Sequence, residues 1–308
     1  MPGISYAGSS QNLSENEKVI KKSIQKHIDI LAGQIGERNI FNFKKLCASA
    51  EYIEHSFLEL GYDVLEQSYT VYGNKVKNIE VELQSNSNSK EIILLGAHYD
   101  SVFGSPGAND NASGIAALLE LSRLIYGHNC DRTLKLVAFV NEEPPFFQSN
   151  NMGSYLYAQR SRERMEKIKT MISIETIGYY TNKKNSQNYP FPLGRFYPKT
   201  GNFIGFVANL NSKHSLYNAI DSFRKNTKFP SQGVAAAKWL PGISSSDQWA
   251  FWKMKYPAIM ITDTAPYRYP YYHTKADTPE KIDYDAMARV VGGISRMVLD
   301  LLNLPPNK

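Results

Sequence analysis

Between Glu91 and Thr262 the chain repeats one pattern: a short apolar run, a polar or acidic residue where the run stops, then, in every gap but 178–201, a stretch with helical spacing. The runs are EIILLGA (91–97), TLKLVAFV (133–140), TMISIE (170–175), NFIGFVAN (202–209) and PAIMIT (257–262). Mostly apolar segments of this length suit strands buried on both faces, and helices between them predict a largely parallel sheet covered on both sides. The helices are expected over 112–126, 152–162, 213–224 and 246–253, with a closing one over 284–302. No internal repeat and no linker rich in Pro, Gly or Ser divides this core, so residues 1–308 read as one domain with an extended arm over 1–13.

Upstream, Ser14 and Glu17 form a capping box, and Val19, Ile20, Ile24, Ile28 and Leu31 fall on one helical face. A second helix is expected over 42–60, with Leu46, Ile53 and Phe57 inward and Gly61 as its stop. Alternation in SYTVYG and NIEVELQ suggests two paired strands, and SNSNSK a polar turn. The irregular piece 178–201, rich in Tyr, Phe, Pro and Asn, reads as an ordered surface loop beside whatever the sheet binds.

Composition narrows the function classes. With 42% hydrophobic and 21% charged residues in 308, the chain is neither disordered nor a membrane protein in composition. The net charge of +6 is spread along the chain, and the densest basic stretch, 160–169, is broken by Glu163 and Glu166. It reads as a solvated helix face, and no nucleic-acid partner is expected. Cys47 and Cys130 fit no zinc-knuckle or CxxC spacing and are expected to be buried thiols. No run of 18 or more apolar residues exists, and the first residues lack an apolar signal-peptide centre. The chain as given reads as soluble, either cytoplasmic or the mature form of an exported protein.

Titratable residues collect where the runs end. His98 and Asp100 follow the first, Asp110 opens the next helix, Glu142 and Glu143 follow the second, Glu175 ends the third, and His273 lies in a loop after the last. Ligands of open α/β sheets bind beyond the carboxyl ends of the strands, so five distant segments point acids and imidazoles into one crevice. Imidazole and carboxylate suit metal better than they suit nucleophilic catalysis. Two histidines and three carboxylates, one of them shared, supply three protein ligands to each of two ions, and a shared carboxylate offsets the repulsion between adjacent dications. Glu142 is then the spare acid, placed to act as general base.

Each residue also has an ordinary reading. A lone histidine is usually structural or solvated, and His27, His55, His128 and His214 sit in helical, charged or loop contexts that give no reason to promote them. His98 differs because it directly follows a buried strand, with Asp100 placed to hold its other ring nitrogen. Glu142 and Glu143 follow an apolar run and precede Pro144 and Pro145, which argues against an exposed helix face. Glu175 is individually weak, and Asp110 alone reads better as a helix cap. In order and at strand ends, the set outweighs its parts. There is no GxSxG elbow, GxGxxG fingerprint, Walker loop or HExxH.

GAHYDS, GANDNASG, NEE, the strand ending in Glu175, SSSDQWAFW and YHTKADTPEKID resemble, in that order, the motifs of peptidase family 28, the co-catalytic zinc aminopeptidases. The resemblance covers about residues 91–302. It implies a three-layer α/β/α sandwich whose mixed sheet has a parallel centre. It further implies two zinc ions per chain, one on His98 and Glu175, the other on Glu143 and His273, with Asp110 bridging. Glu142 is then the general base for a metal-bridging water, Asp100 the partner of His98, and the Asp110–Asn111 bond is cis. Peptides with a free N-terminus are the substrates so implied.

The chain departs from the family pattern in three places. The third-strand ligand, more often Asp, is Glu175. Where some members carry an oxyanion-holding Tyr, this chain has Ile243, which leaves Tyr267, Tyr269, Tyr271 and Tyr272 as possible donors. NEEPPFF replaces a Gly-Glu-Glu followed by small residues. Glutaminyl cyclase, a single-zinc acyltransferase of similar fold, is the first rival function, and a non-catalytic binding module on the same fold is the second. For an aminopeptidase, Glu175 and Glu142 form the edge that receives the α-ammonium, and segments 178–197, 249–252 and 267–272 are candidates for an apolar wall beside it.

Overall fold

The computed structural model describes residues 1–9 and 11–303; Ser10, within the expected arm, lies outside the described residues. Helix α1 (Glu15–Ile28) starts at the expected box: Ser14 Oγ accepts the Glu17 N–H at 3.3 Å and Glu17 returns a carboxylate to the Ser14 N–H at 2.8 Å. Ile20, Ile24 and Ile28 are buried, whereas Val19, expected on the same face, is 55% exposed. The helix widens into a π-helical stretch, Asp29–Ile35, that buries Leu31 and stops at Gly36. Helix α2 (Phe43–Glu59) buries Leu46, Ile53 and Phe57 and ends before Gly61, which has φ +88°.

Strands β1 (Leu65–Val71) and β2 (Asn74–Leu83) form an antiparallel hairpin. The chain reverses at Tyr72 and Gly73, both with positive φ, as a two-residue hairpin turn requires, so β1 ends inside SYTVYG and β2 begins upstream of NIEVELQ. SNSNSK then leads to β3 (Glu91–His98), which is not β2's neighbour. In chain order follow α3 (Ser113–Ile125), β4 (Thr133–Phe139), α4 (Gly153–Glu163), β5 (Lys167–Glu175), β6 (Ile204–Asn209), α5 (Lys213–Asn226), β7 (Ser231–Ala236), α6 (Gln248–Lys253), β8 (Ala258–Thr262), α7 (Ala265–Arg268) and α8 (Tyr284–Leu302).

The eight strands form one sheet in the order β1-β2-β4-β3-β5-β8-β6-β7. Strands β4, β3, β5 and β8 run parallel, while β2 joins β4, and β6 joins β8, antiparallel. This is the mixed sheet with a parallel centre that the resemblance implies. Strand β7 was not expected, because SQGVAA has little apolar content and only an edge strand can form from it.

Alternation along the central strands divides the core. Ile93, Leu95, Ile172 and Ile174 face a large cluster shared with α1, α2, α3, α5 and α8. Leu94 and Met171 face the opposite side, where they pack with Phe139, Tyr157 and Phe251 beneath α4 and α6. At roughly 25 cal/mol per Å² of apolar area removed from water, these two layers supply most of the drive to fold. Cys130 is buried as expected, Cys47 only half-buried, and both are free. Among the described residues, no helix is long and apolar enough to cross a membrane.

Candidate metal centre

The parallel centre of the sheet delivers every candidate ligand to one end. His98 and Glu175 are the last residues of β3 and β5. Glu142 and Glu143 follow β4, Asp110 lies in the turn before α3, and His273 lies in the loop after α7. His98 Nε2 stands 3.3 Å from Asp110 Oδ1 and 3.2 Å from Glu175 Oε2. His273 Nε2 stands 3.0 Å from Asp110 Oδ2 and 3.4 Å from Glu143 Oε2. Two three-donor groups result, His98–Asp110–Glu175 and Asp110–Glu143–His273, each compact enough to hold an ion. Asp110 belongs to both.

Glu142 belongs to neither group. Its Oε2 is 3.9 Å from His98 Nε2, beyond hydrogen-bond reach, though its side chain is only 7% exposed. Asp100 does more than its expected part. The His98 Nδ1 lies 3.1 Å from its backbone carbonyl and 3.5 Å from its carboxylate. That carboxylate also accepts the backbone N–H groups of Glu142 and Glu143, each at 3.1 Å. It thereby sets the two acids on one rigid turn.

Four buried atoms of the cluster, His98 Nε2, Asp110 Oδ1, Glu143 Oε1 and His273 Nε2, have no hydrogen-bond partner among the described residues. Buried polar atoms are rarely left so, and here they converge. Burial pushes Glu142 far above the ordinary carboxylate range, with Glu143 and Glu175 adding to it against the pull of His98. Burial also lifts Glu143 to about 7 and raises Glu175, in both cases helped by Asp110. Against its burial, His273 is raised to about 10 by Asp110 and Glu143, and His98 is raised by Glu142 and Glu175. A cluster that retains protons for want of positive charge is one that cations complete, displacing those protons. The donor set of imidazole and carboxylate fits zinc.

The turn carrying Asp110 is held from several sides. The Asp110–Asn111 bond is cis, as the resemblance implies. Asp110 does not cap α3; instead Asn111 Oδ1 accepts the N–H of Gly114 and of Thr176, each at 3.0 Å, joining this turn to the end of β5. Both motif glycines are sterically required. A Cβ on Gly107 would lie 2.3 Å from the Asp110 carbonyl, and one on Gly114 2.5 Å from that of Ile174. Backbone in the left-handed region flanks the acids at Asn141 and Thr176 and includes His273 itself, a conformation non-glycine residues keep only where surroundings impose it.

Sequence reasoning missed several supports. Asp277, within YHTKADTPEKID, accepts the N–H groups of Asn109 and Asp110. Ser246 Oγ donates to Glu175 Oε2 at 2.7 Å. Arg38 gave no signal at all. Fully buried, it donates to the carbonyls of Tyr99 at 2.7 Å and Gly107 at 2.9 Å, and also to Pro106, binding the loop after β3 to the Asp110 turn.

Residues 78–298 match Peptidase family M28. The chain belongs to that family. Arg38, α1 and α2 lie ahead of the M28 match, so part of the site's support precedes it. Uncharacterized protein YfbL of Escherichia coli is 37% identical over 282 residues, 89% of this chain and 86% of that protein. Among solved structures, BSAP, a zinc aminopeptidase from Bacillus subtilis, superposes with a TM-score of 0.72 at 15% identity, over 92% of this chain and 95% of that one. The Fimbriiglobus ruber glutaminyl cyclase superposes at 0.67 with 16% identity, over 96% and 97%. Such likenesses establish the fold and leave the reaction to the site.

Beside Glu175 and Tyr272 opens a pocket of about 90 Å³, walled by Tyr189, Leu193, Tyr197, Phe206, Ile243 and Met260. The loop 178–201 and Tyr267 line it as expected, but Trp249 and Trp252 do not; they face a different groove, because α6 turns them away. Of the tyrosine cluster, Tyr269 is engaged in a bond to Asp277, whereas Tyr272 stacks on His273 with ring centroids 3.8 Å apart. Burial and then Asp110, Glu143 and Glu175 raise the Tyr272 phenol far above its ordinary value, so it stays a hydrogen-bond donor.

Proposed function

We propose that residues 1–308 form one zinc-dependent aminopeptidase domain that releases the first residue of peptides with a free N-terminus. The observation that carries this is the pair of three-donor groups sharing Asp110, with Glu142 beside them and in neither. His98 and Glu175 would hold one zinc, Glu143 and His273 the other, and Asp110 both. Bound zinc would supply Lewis acidity, lowering the pKa of water and polarising the scissile carbonyl.

The remaining steps belong to the chain. Glu142, not committed to the ligand groups, takes a proton from the attacking water and returns it to the leaving amine. Asp100 fixes its backbone, so the carboxylate is already in place and little reorganisation accompanies the transfer. Tyr272 is the donor available to the oxyanion in place of the tyrosine that Ile243 replaces. Glu175 and Glu142 receive the α-ammonium, and the side chain beside it enters the apolar pocket next to Glu175. Leu, Phe or Met should therefore be preferred over Asp or Glu at the first position, since two carboxylates at the amine end disfavour a further negative charge.

The test is amine release from aminoacyl p-nitroanilides, with chelator and with zinc restored. Turnover of Leu but not of its Nα-acetyl derivative supports the reading; internal cleavage of acetylated peptides opposes it. Conversion of Gln-initiated peptides to pyroglutamate on one zinc would favour the cyclase. A non-catalytic module is disfavoured because the base and all five candidate ligands are present.

A further inference from the structure

A second groove, of about 680 Å³, adjoins the apolar pocket and shares with it the wall formed by Pro241, Gly242 and Ser245. Its other side is the turn after the two acids: Phe147 and Gln148 line it, and Gln148 Nε2 bonds the Ser244 carbonyl across it at 2.9 Å. The floor is aromatic, with Trp249 and Trp252, and at the rim Trp239 is 80% exposed and Leu210 61%. A volume of this size is within the roughly 300–1,000 Å³ that takes a small ligand.

The groove carries a charge with no counterpart. Lys238 and Lys253 line it, and no acidic residue does. Among the described residues neither ammonium has an ion pair; Lys253 lies only against the Trp249 ring, 5.5 Å from its centroid.

Resting on the aminopeptidase reading, we propose that this groove receives the leaving portion of a short peptide and that Lys238 and Lys253 recognise its free α-carboxylate. The direction follows from the base. The amine that departs must be reprotonated by Glu142, so the leaving segment passes over the Glu142–Glu143 turn, whose continuation through Phe147 and Gln148 is the groove's wall. The first side chain occupies the pocket beside Glu175, on the far side of Pro241 and Gly242. A terminal carboxylate is the anion every short peptide brings to that end, whereas an acidic side chain is present in only some. The aromatic floor then takes the apolar side chains between.

The test is leucine release from Leu-Ala-Ala-Phe as free acid and as C-terminal amide, from Leu-Ala-Asp-Phe amide, and from leucine p-nitroanilide. At low salt, kcat/KM for the acid should exceed that for the amide by about 3- to 10-fold, the range two exposed ion pairs supply. The gain should reside in KM, as for contacts equally strong before and during reaction, and shrink toward unity in 0.5 M salt, on the order of a Debye length of 4 Å. Substituting Lys238→Glu together with Lys253→Glu should bring the acid-to-amide ratio to one or below. Trp239→Ala should lower the tetrapeptide amide relative to the p-nitroanilide. Equal rates for acid and amide, a ratio unmoved by the lysine substitutions, or an Asp-containing amide as good as the acid each overturn the subsite. Leucine release from the p-nitroanilide with equal acid and amide rates overturns the subsite alone, whereas no release from any substrate with zinc present overturns the aminopeptidase reading beneath it.

Discussion

Asp277 holds the backbone of Asp110: its Oδ2 accepts the Asp110 N–H at 3.1 Å, while its Oδ1 accepts that of Asn109 at 2.8 Å. The loop that carries His273 and the turn that carries Asp110 are thereby one unit, and Tyr269 donates to the same carboxylate at 2.8 Å. Replacing Asp277 by Asn puts a donor opposite one of these N–H groups. We expect Asp277→Asn to fold but to lose about 10- to 100-fold in zinc affinity, the usual effect of losing a partner behind the ligands. Competition with a chromophoric chelator measures it, with near-UV circular dichroism as the control for folding.

The two adjacent glutamates should behave differently. Glu142→Gln is expected to keep zinc and lose about 10²- to 10⁴-fold in rate, because an amide cannot accept the water's proton. Glu143→Gln should lose metal, since that side chain lies in a three-donor group with Asp110 and His273. Elemental analysis beside kcat for each variant decides it; equal behaviour of the two would invalidate the assignment.

Zinc stoichiometry is the third expectation. Two ions per chain should be found by elemental analysis or anomalous scattering, and His273→Ala should reduce the count to one while His98 retains its group. A single ion at full occupancy after zinc supplementation would move the reading toward the cyclase.

Arg38 should matter although it lies ahead of the family match and, among the described residues, makes no direct ion pair. Arg38→Met removes the one donor that reaches the Tyr99 and Pro106 carbonyls among the described residues, each loss costing about 1–3 kcal/mol. A destabilisation of about 3 kcal/mol or more by denaturant titration is expected, with weaker zinc binding at temperatures where the variant is still folded.

A pH effect separate from the site comes from His27. Burial, with a smaller contribution from Lys26, lowers it to about 4, and its Nδ1 lies 2.6 Å from the Tyr52 hydroxyl. The folded state binds the proton less well than the unfolded one, whose value is about 6.5. Stability from this group is therefore complete above about 6.5 and is lost as pH falls toward about 4, up to roughly 3 kcal/mol in all. His27→Gln should flatten the denaturation profile in that window; an unchanged slope would remove His27 as its source.

What the chain specified by itself is what depends on local order. Five apolar runs separated by helical spacing dictate strands with helices on both faces, because no other arrangement buries such runs and pairs their backbones. Acids and imidazoles at the ends of those runs then converge, since parallel strands present their carboxyl ends on one side; His98, Glu142, Glu143 and Glu175 were legible for that reason. What only the tertiary structure decided are relations between segments far apart in sequence. Arg38 and Asp277, both buried in loops, have no periodicity or spacing to mark them, and their roles exist only once carbonyls and N–H groups of other loops surround them. The edge strand β7 forms because β6 offers it an open backbone, not because SQGVAA favours a strand. Trp249 and Trp252 follow closely on Ser246, which bonds Glu175, yet the direction of α6 sends them to a different groove. Hydrophobic spacing acts over a few residues and can be read along the chain, whereas hydrogen bonds that satisfy buried backbone groups are made across the fold and appear only when it has formed.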